Sequence, residues 1–381
     1  MAERIYLDNA ATTALRPEVA DAMRAALEES GYNPSSLHAE GRRARAVLDG
    51  ARDRVAALLG ASRREITFTA SGTEADNTAI AGSVRALRRK GHVVASAIEH
   101  HAVLHSVFAL REQGFDVSLV PVTSDGIVEP EAFERALRPD TLLATVMTAN
   151  NEIGTIQPVD RLASIARERG VLFHTDAVQA VGWMPLRPRT MGVDVMALSA
   201  HKFHGPKGVG VLFSREGLAI DPIVVGGGQE FGRRSGTENV LGIAATARAL
   251  ELAATERPER TPAVRAMRDR LEAAIVENVA DVRINGASAP RLPYISNVSF
   301  GGVTSEALLV RLDLEGVAAS AGSACTSGVL EPSHVIAALG LDAHWQSGAI
   351  RFSLGDDTRP EEIERLIDVL PRLVEEIRGK R

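Results

Sequence analysis

Between residues 66 and 213 the chain alternates short apolar runs with helix-like stretches, and this rhythm limits its fold more than any other feature. Apolar runs stand at 66–69, 93–97, 117–120, 142–148, 171–173, 193–198 and 210–213. Helical patterns occupy 17–29, 36–59, 73–89, 102–113 and 159–169, the last clearly amphipathic. Pro17 suits a first helical turn, where its fixed φ and missing N–H cost nothing. Gly60 can end the second helix in a left-handed conformation. The run 142–148 lacks polar alternation, the pattern of a strand covered on both faces inside a parallel sheet. Strands alternating with helices predict an α/β domain with a mostly parallel sheet. Such sheets place ligands beyond the carboxyl ends of their strands.

A change comes at Glu256-Arg257-Pro258-Glu259-Arg260-Thr261-Pro262, where two prolines among charges predict a boundary. A helix at 263–279 follows, then short strands at 295–300 and 350–354 among helices at 304–312, 333–339 and 360–377, which suggests a smaller α+β domain. The 381 residues allow one large domain or two moderate ones, with no internal repeat. A net charge of −6 offers no basic field to nucleic acid, and the arginine clusters at 41–45 and 85–90 read as solvated helix faces. No apolar run approaches the roughly 20 residues that span a bilayer, and the first residues lack a signal-like apolar core, so neither secretion nor membrane insertion is expected. The single cysteine, Cys325, cannot form an internal disulfide or build a thiolate metal cluster alone, which points to a reducing cytoplasm.

Asp176 and Lys202 stand 26 positions apart, each after an apolar run. An acid and an amine at the ends of neighbouring strands suit pyridoxal phosphate. The lysine would carry the aldehyde as a Schiff base, and the carboxylate would keep the pyridine nitrogen protonated. The segment 68–75 reads as strand, small-residue turn and helix start, with Gly72 and Thr73 at an anion cup or simply at a helix cap. Ser199 and His201, beside Lys202, could add phosphate contacts. His100 follows a strand end and either stacks on a flat cofactor and moves protons or is a hydrogen-bonded loop histidine. Asn151 lies in a turn after the 142–148 strand, where an amide could meet substrate or cofactor oxygens or serve turn chemistry. Gln179, three residues past Asp176, could donate to a ring oxygen.

Other motifs are less decisive. His101 and His105 share a helix face, but no glutamate lies between them and no third ligand is evident, so no metal is expected. The glycine-rich stretch 226–237 matches neither a Walker loop nor a dinucleotide fingerprint. Arg351 is a charge inside a strand-like run, either paired structurally or acting as a carboxylate clamp. A lone cysteine is more often a buried small hydrophobe than a nucleophile. Around Cys325, however, Gly322, Ser323, Thr326, Ser327 and Gly328 make a polar segment poorly suited to a core.

Taken together, these motifs resemble the cysteine desulfurases of the NifS/IscS type, within the class V aminotransferases. The resemblance runs through nearly the whole chain. It includes Tyr6-Leu7-Asp8-Asn9-Ala10-Ala11-Thr12-Thr13, Asn33-Pro34-Ser35-Ser36, Gly72-Thr73-Glu74-Ala75-Asp76-Asn77, Glu99-His100 and Asn151-Glu152-Ile153-Gly154. It continues through Asp176-Ala177-Val178-Gln179, Ser199-Ala200-His201-Lys202 and Arg234-Ser235-Gly236-Thr237-Glu238-Asn239. The cysteine segment followed by Leu330-Glu331-Pro332-Ser333-His334 is the most specific match, whereas Ala70-Ser71 departs from a Ser-Gly pair frequent in the family.

This resemblance implies a fold-type I pyridoxal-phosphate enzyme with a mostly parallel seven-stranded sheet. Residues 15–256 would form the large domain. Residues 1–14 would join 257–381 in the small one, which carries the cysteine loop at about 321–332. The enzyme would be a homodimer with the cofactor near the subunit interface. Lys202 would bear the cofactor, Asp176 would pair with its ring nitrogen, Gln179 would contact the ring oxygen and His100 would stack on the ring. Gly72, Thr73, Ser199 and His201 would hold phosphate, joined by Thr237 from the other subunit. Arg351 would bind the substrate carboxylate with Asn151 and Asn33, and Asn151 would also touch the cofactor. Cys325 would attack the sulfur of L-cysteine, keep it as a persulfide and release alanine. Its acceptor would be an iron–sulfur scaffold or another sulfur carrier, and Cys325 could share a cluster transiently with such a scaffold. Competing expectations are a class V aminotransferase that does not use the thiol, a selenocysteine lyase, and a non-catalytic binding module on the same fold.

Overall fold

A computed structural model describes residues 4–322 and 333–379. Its strands are β1 (Ile5–Tyr6), β2 (Ile66–Thr69), β3 (His92–Ser96), β4 (Asp116–Val120), β5 (Thr141–Thr145) and β6 (Leu172–Asp176). They continue as β7 (Val195–Ser199), β8 (Gly210–Ser214), β9 (Val282–Ile284), β10 (Ile295–Phe300), β11 (Val317–Ala318) and β12 (Ala349–Ser353). Seven form one sheet in the order β2-β8-β7-β6-β5-β3-β4. β8 runs antiparallel to both neighbours, while the pairs from β7 across to β4 are parallel. β3, β5 and β7 are buried at every residue, as their apolar central residues require of strands covered on both faces.

The parallel register brings the site together. In the β6–β7 pairing Asp176 stands opposite Ala197, so the carboxyl ends of these strands lie side by side. Asp176 ends β6, and Ser199 ends β7 just before a tight turn, Ala200–Lys202. Lys202 and Asp176 therefore emerge at one sheet edge.

The helix expected at 73–89 is three pieces: an α-helical start at Gly72–Asn77, a π-turn at Thr78–Gly82 and a last turn at Ser83–Ala86. An outside strap lies against the widened turn. Asp221 donates its N–H to the Gly82 carbonyl, and a Cβ on Gly82 would lie 2.6 Å from the Asp221 oxygen. A π-turn absorbs such a contact without ending the helix.

The helix expected to begin at residue 263 instead runs unbroken from Val240 to Asn278, through Pro258 and Pro262. Side chains grip this stretch from outside. Arg260 donates to Asp356 at 2.7 Å and sits over the Trp183 ring at 4.6 Å, while Arg16 reaches Glu256 at 2.5 Å. This packing outweighs the bonds that the prolines cannot make.

Beyond that helix, β12, β10 and β9 form a three-stranded antiparallel sheet, and β1 pairs in parallel with β11. The helix Pro360–Arg378 buries Ile363, Leu366, Leu370, Leu373 and Val374, spaced to share one face, in the shared core. One apolar core joins this region to the large sheet, from Leu7 and Phe352 to Phe173 and Phe213. Among the described residues no helix is long and apolar enough to cross a membrane.

Candidate active site

A cavity of about 300 Å3 opens at the carboxyl edge of the large sheet. That volume is within the range of small-molecule sites. It gathers ten of the residues singled out from sequence: Gly72, Thr73, His100, Asn151, Asp176, Gln179, Ser199, His201, Lys202 and Arg351. Asn33 and Thr237 lie elsewhere. Asn33 accepts the Ser35 N–H in its own turn at 2.9 Å, and Thr237 lines a separate recess with Ala70 and Arg234. Cys325 lies outside the described residues.

Lys202 donates from Nζ to the carbonyls of Ala10 (2.6 Å) and Ala11 (2.8 Å). Burial pulls its pKa down to about 8, assisted by Arg351 and opposed by Asp176 and Asp8. A desolvated amine of this kind is neutral often enough to act as a nucleophile. Asp176 is 4% exposed and accepts the Val178 N–H at 2.8 Å. Burial raises its pKa, and that backbone bond and Lys202 hold it down. A buried carboxylate with unused acceptor capacity gains from a cationic N–H placed opposite it.

His100 caps the helix His101–Glu112, its Nδ1 accepting the Ala102 N–H at 3.1 Å. In the neutral ring the proton is then on Nε2. Burial among protein, the Lys202 charge and neighbouring histidines lower its pKa to about 4, although the ring is accessible from the cavity. His201 meets Thr12 Oγ1 at 3.1 Å, and burial with Lys202 lowers its pKa to about 4. Gln179 donates to the Ala10 carbonyl at 2.9 Å and accepts from the Tyr294 hydroxyl, which fixes its amide and leaves one N–H to offer.

The turn before Gly72 shows why glycine stands there. A Cβ on Gly72 would lie 3.0 Å from Ser199 Cβ and 3.1 Å from Val178 Cγ2. Ser71 Oγ caps the helix by accepting the Glu74 N–H at 3.0 Å. Arg351, 2% exposed on β12, donates to Asp8 Oδ1 (2.8 Å) and to the Asn151 carbonyl (2.9 Å).

Several lining groups carry no role in the sequence reading. The Ala10 and Ala11 carbonyls act through backbone, which residue type cannot reveal. Asp76 and Glu152 are buried carboxyls inside motifs recognised for other residues. Glu152 accepts from Ser333 Oγ at 2.5 Å. The histidine pair expected on one helix face extends to a third ring: His101 stacks on His105 at 5.2 Å, and its Nε2 lies 3.2 Å from His334 Nδ1.

The class V aminotransferase family model matches residues 5–366, and the chain belongs to that family. A protein of Dictyoglomus turgidum named cysteine desulfurase IscS is 46% identical over 99% of this chain and 96% of its own length. A solved structure described as a NifS-like protein superposes with a TM-score of 0.91 at 36% identity, covering 98% of this chain and 99% of that one. Another, described as SspA in complex with cysteine, has a TM-score of 0.81 at 33% identity and covers 92% and 98%.

Class V aminotransferases depend on pyridoxal phosphate. The cavity fits that group by its donor set. It offers an amine at Lys202, an acid at Asp176 and a cradle at Gly72 that a Cβ would crowd, beside the hydroxyls of Thr73 and Ser199.

Proposed function

We propose that the chain converts L-cysteine to L-alanine and passes the sulfur through Cys325 to an acceptor. The observation that carries this reading is one cavity holding Lys202, Asp176 and Arg351, in a chain 46% identical over nearly its whole length to a protein named cysteine desulfurase. Lys202 would hold the cofactor's aldehyde carbon, Asp176 its ring nitrogen and Gln179 its ring oxygen. His100 and Asn151 would flank the ring, while Gly72, Thr73, Ser199, His201 and the partner copy's Thr237 would hold phosphate. When bound, pyridoxal phosphate supplies a sink for the electron pair at the substrate's Cα.

The protein's own groups do the rest. Arg351 grips the substrate carboxylate with Asn151, both lining the cavity. Lys202 Nζ, with a pKa near 8, takes and returns a proton at Cα. His100, whose Nδ1 is engaged by the Ala102 N–H, lines the cavity and would move a proton near the substrate sulfur. The Cys325 sulfur bonds to the substrate sulfur while the carbon–sulfur bond breaks. The carbon gains the proton, and Cys325 keeps the extra sulfur as a persulfide. Thiol plus cysteine becomes persulfide plus alanine, with no outside reductant.

The same reading takes residues 15–256 as one domain and 1–14 with 257–381 as the other, supported by the pairing of β1 with β11 and of Asp8 with Ser353. It makes the protein a homodimer, for which the exposed Leu37 (90%) and Val225 (77%) supply apolar surface. An iron–sulfur scaffold or other sulfur carrier is the acceptor. Alanine released from L-cysteine by the purified protein tests the reading. Release by wild type and loss in Cys325→Ala support it. Keto-acid formation with Cys325 dispensable would replace it with transamination.

A further inference from the structure

Beside the cavity, two buried polar atoms face each other, and neither has a hydrogen-bond partner among the described residues. They are Asp76 Oδ1 and His174 Nε2, 3.4 Å apart. Asp76 is 1% exposed and His174 fully buried. Asp76 lies one helical turn past Gly72, on the face that lines the cavity. His174 lies two residues before Asp176 on β6, so both side chains leave the same face of the strand.

The second ring nitrogen of His174 is already engaged, with Nδ1 lying 2.8 Å from Thr145 Oγ1. If Nδ1 carries the ring proton and donates to that hydroxyl, Nε2 is a lone pair pointing at Asp76. A lone pair is satisfied by an acid O–H and repelled by a carboxylate.

The surrounding carboxyls favour the acid. The groups that act on Asp76 are Asp176 from β6 and Glu99 from the turn after β3, both carboxyls. Lys202 donates to the Ala10 and Ala11 carbonyls, and its charge lowers the pKa of Asp176. Burial, then Asp176 and Glu99, raise the Asp76 pKa, while burial lowers that of His174 to about 3. Two adjacent buried carboxylates do not both ionise readily, and an unprotonated imidazole does not neutralise either.

We infer that Asp76 is a positioning residue that stands in the site as a neutral acid. Its O–H is held by His174 Nε2, so that Asp176 alone of this adjacent pair turns a negative charge toward the ring nitrogen. The role of Asp176 here rests on the reading that the cavity holds pyridoxal phosphate. The Asp76–His174 proton does not, and it can be observed without turnover.

The test uses the holoenzyme labelled with 15N-histidine, with the His174 signals assigned by their loss in His174→Gln. The inference expects a neutral His174 with its proton on Nδ1 across neutral pH. An infrared difference between wild type and Asp76→Asn should show one protonated carboxyl lost. A doubly protonated His174, a proton on Nε2, or no such carboxyl band overturns the inference.

A second arm follows the pH titration of the cofactor's absorbance. Asp76→Ala leaves Nε2 unpaired and should displace the midpoint. Asp76→Asn, whose amide N–H can replace the acid proton, should restore it. Equal displacement in both variants contradicts a neutral acid. If Asp76→Ala does not fold, the measurements on wild type and Asp76→Asn decide alone. A wild type that makes no alanine from cysteine would end the desulfurase reading and leave the His174 result standing.

Discussion

Arg351 and Asp8 form an ion pair of 2.8 Å at the edge of the cavity, and the arginine's buried Nε has no partner among the described residues. One arm of the guanidinium holds the chain's own carboxylate, and the other holds the Asn151 carbonyl. An arginine so fixed is pre-organised for a second carboxylate, that of the amino acid. Arg351→Ala should therefore raise KM for L-cysteine. A charge-assisted hydrogen bond is worth about 1.5–3 kcal/mol, or roughly 10- to 150-fold. Arg351→Lys should recover only part of this, because an ammonium cannot present two parallel N–H groups. Steady-state kinetics of both variants check it; an unchanged KM would make Arg351 purely structural.

Lys202 sets a pH dependence of its own. The free amine is the reactive form, and its pKa is lowered from 10.5 to about 8. In protein stripped of cofactor, the rate of recombination with pyridoxal phosphate should rise with pH and level off above about 8. An ordinary lysine would keep gaining rate for two further units. Lys202→Ala should abolish the covalent absorbance band and lower turnover by a factor on the order of 10^3. A stopped-flow pH series and a spectrum of the variant measure the two effects.

Glu99 is fully buried, and burial pushes its pKa from 4.5 up to about 8 against bonds from Ser96 Oγ and the Met147 N–H. Between those values the folded state holds a proton that the unfolded state has released. Its contribution to stability is therefore lost as pH rises through this window. Glu99→Gln keeps the shape and removes the titration, so its Tm should fall less than that of wild type from pH 4.5 to about 8. Parallel thermal scans of the two proteins compare the slopes.

The glycine-rich stretch was opaque in sequence, and the structure gives it an anchor. Glu230 (1% side-chain exposure) and Arg52 (2%) form a two-point pair at 2.6 and 2.7 Å. Glu230 also accepts the Phe68 N–H, and Arg52 donates to the Ile66 carbonyl. The pair thus fixes the loop to β2, the strand that leads into the Ser71–Thr73 turn. Removing one partner leaves the other charged and buried, which costs about 3–5 kcal/mol. Chemical denaturation of Glu230→Ala should show that loss.

How much of this was legible follows physical lines. The parallel sheet was readable because strands covered on both faces carry apolar runs that little else produces. Lys202 and Asp176 were readable because an amine and an acid after two such runs have few other uses. Pro258 and Pro262 misled about the helix, since the contacts of Arg260 with Asp356 and Trp183 come from residues about 75 to 100 positions away. The carbonyls of Ala10 and Ala11 left no trace in residue type. Asp76 was hidden for another reason: its chemistry depends on facing His174, a pairing across a helix and a strand that spacing along the chain does not encode.

The most direct measurement is mass spectrometry of the purified protein after incubation with L-cysteine, peptide by peptide. The account expects one added sulfur on the Cys325 peptide, removable by a thiol reductant, with alanine formed in equal amount. An unmodified Cys325 peptide alongside continued release of alanine would contradict it.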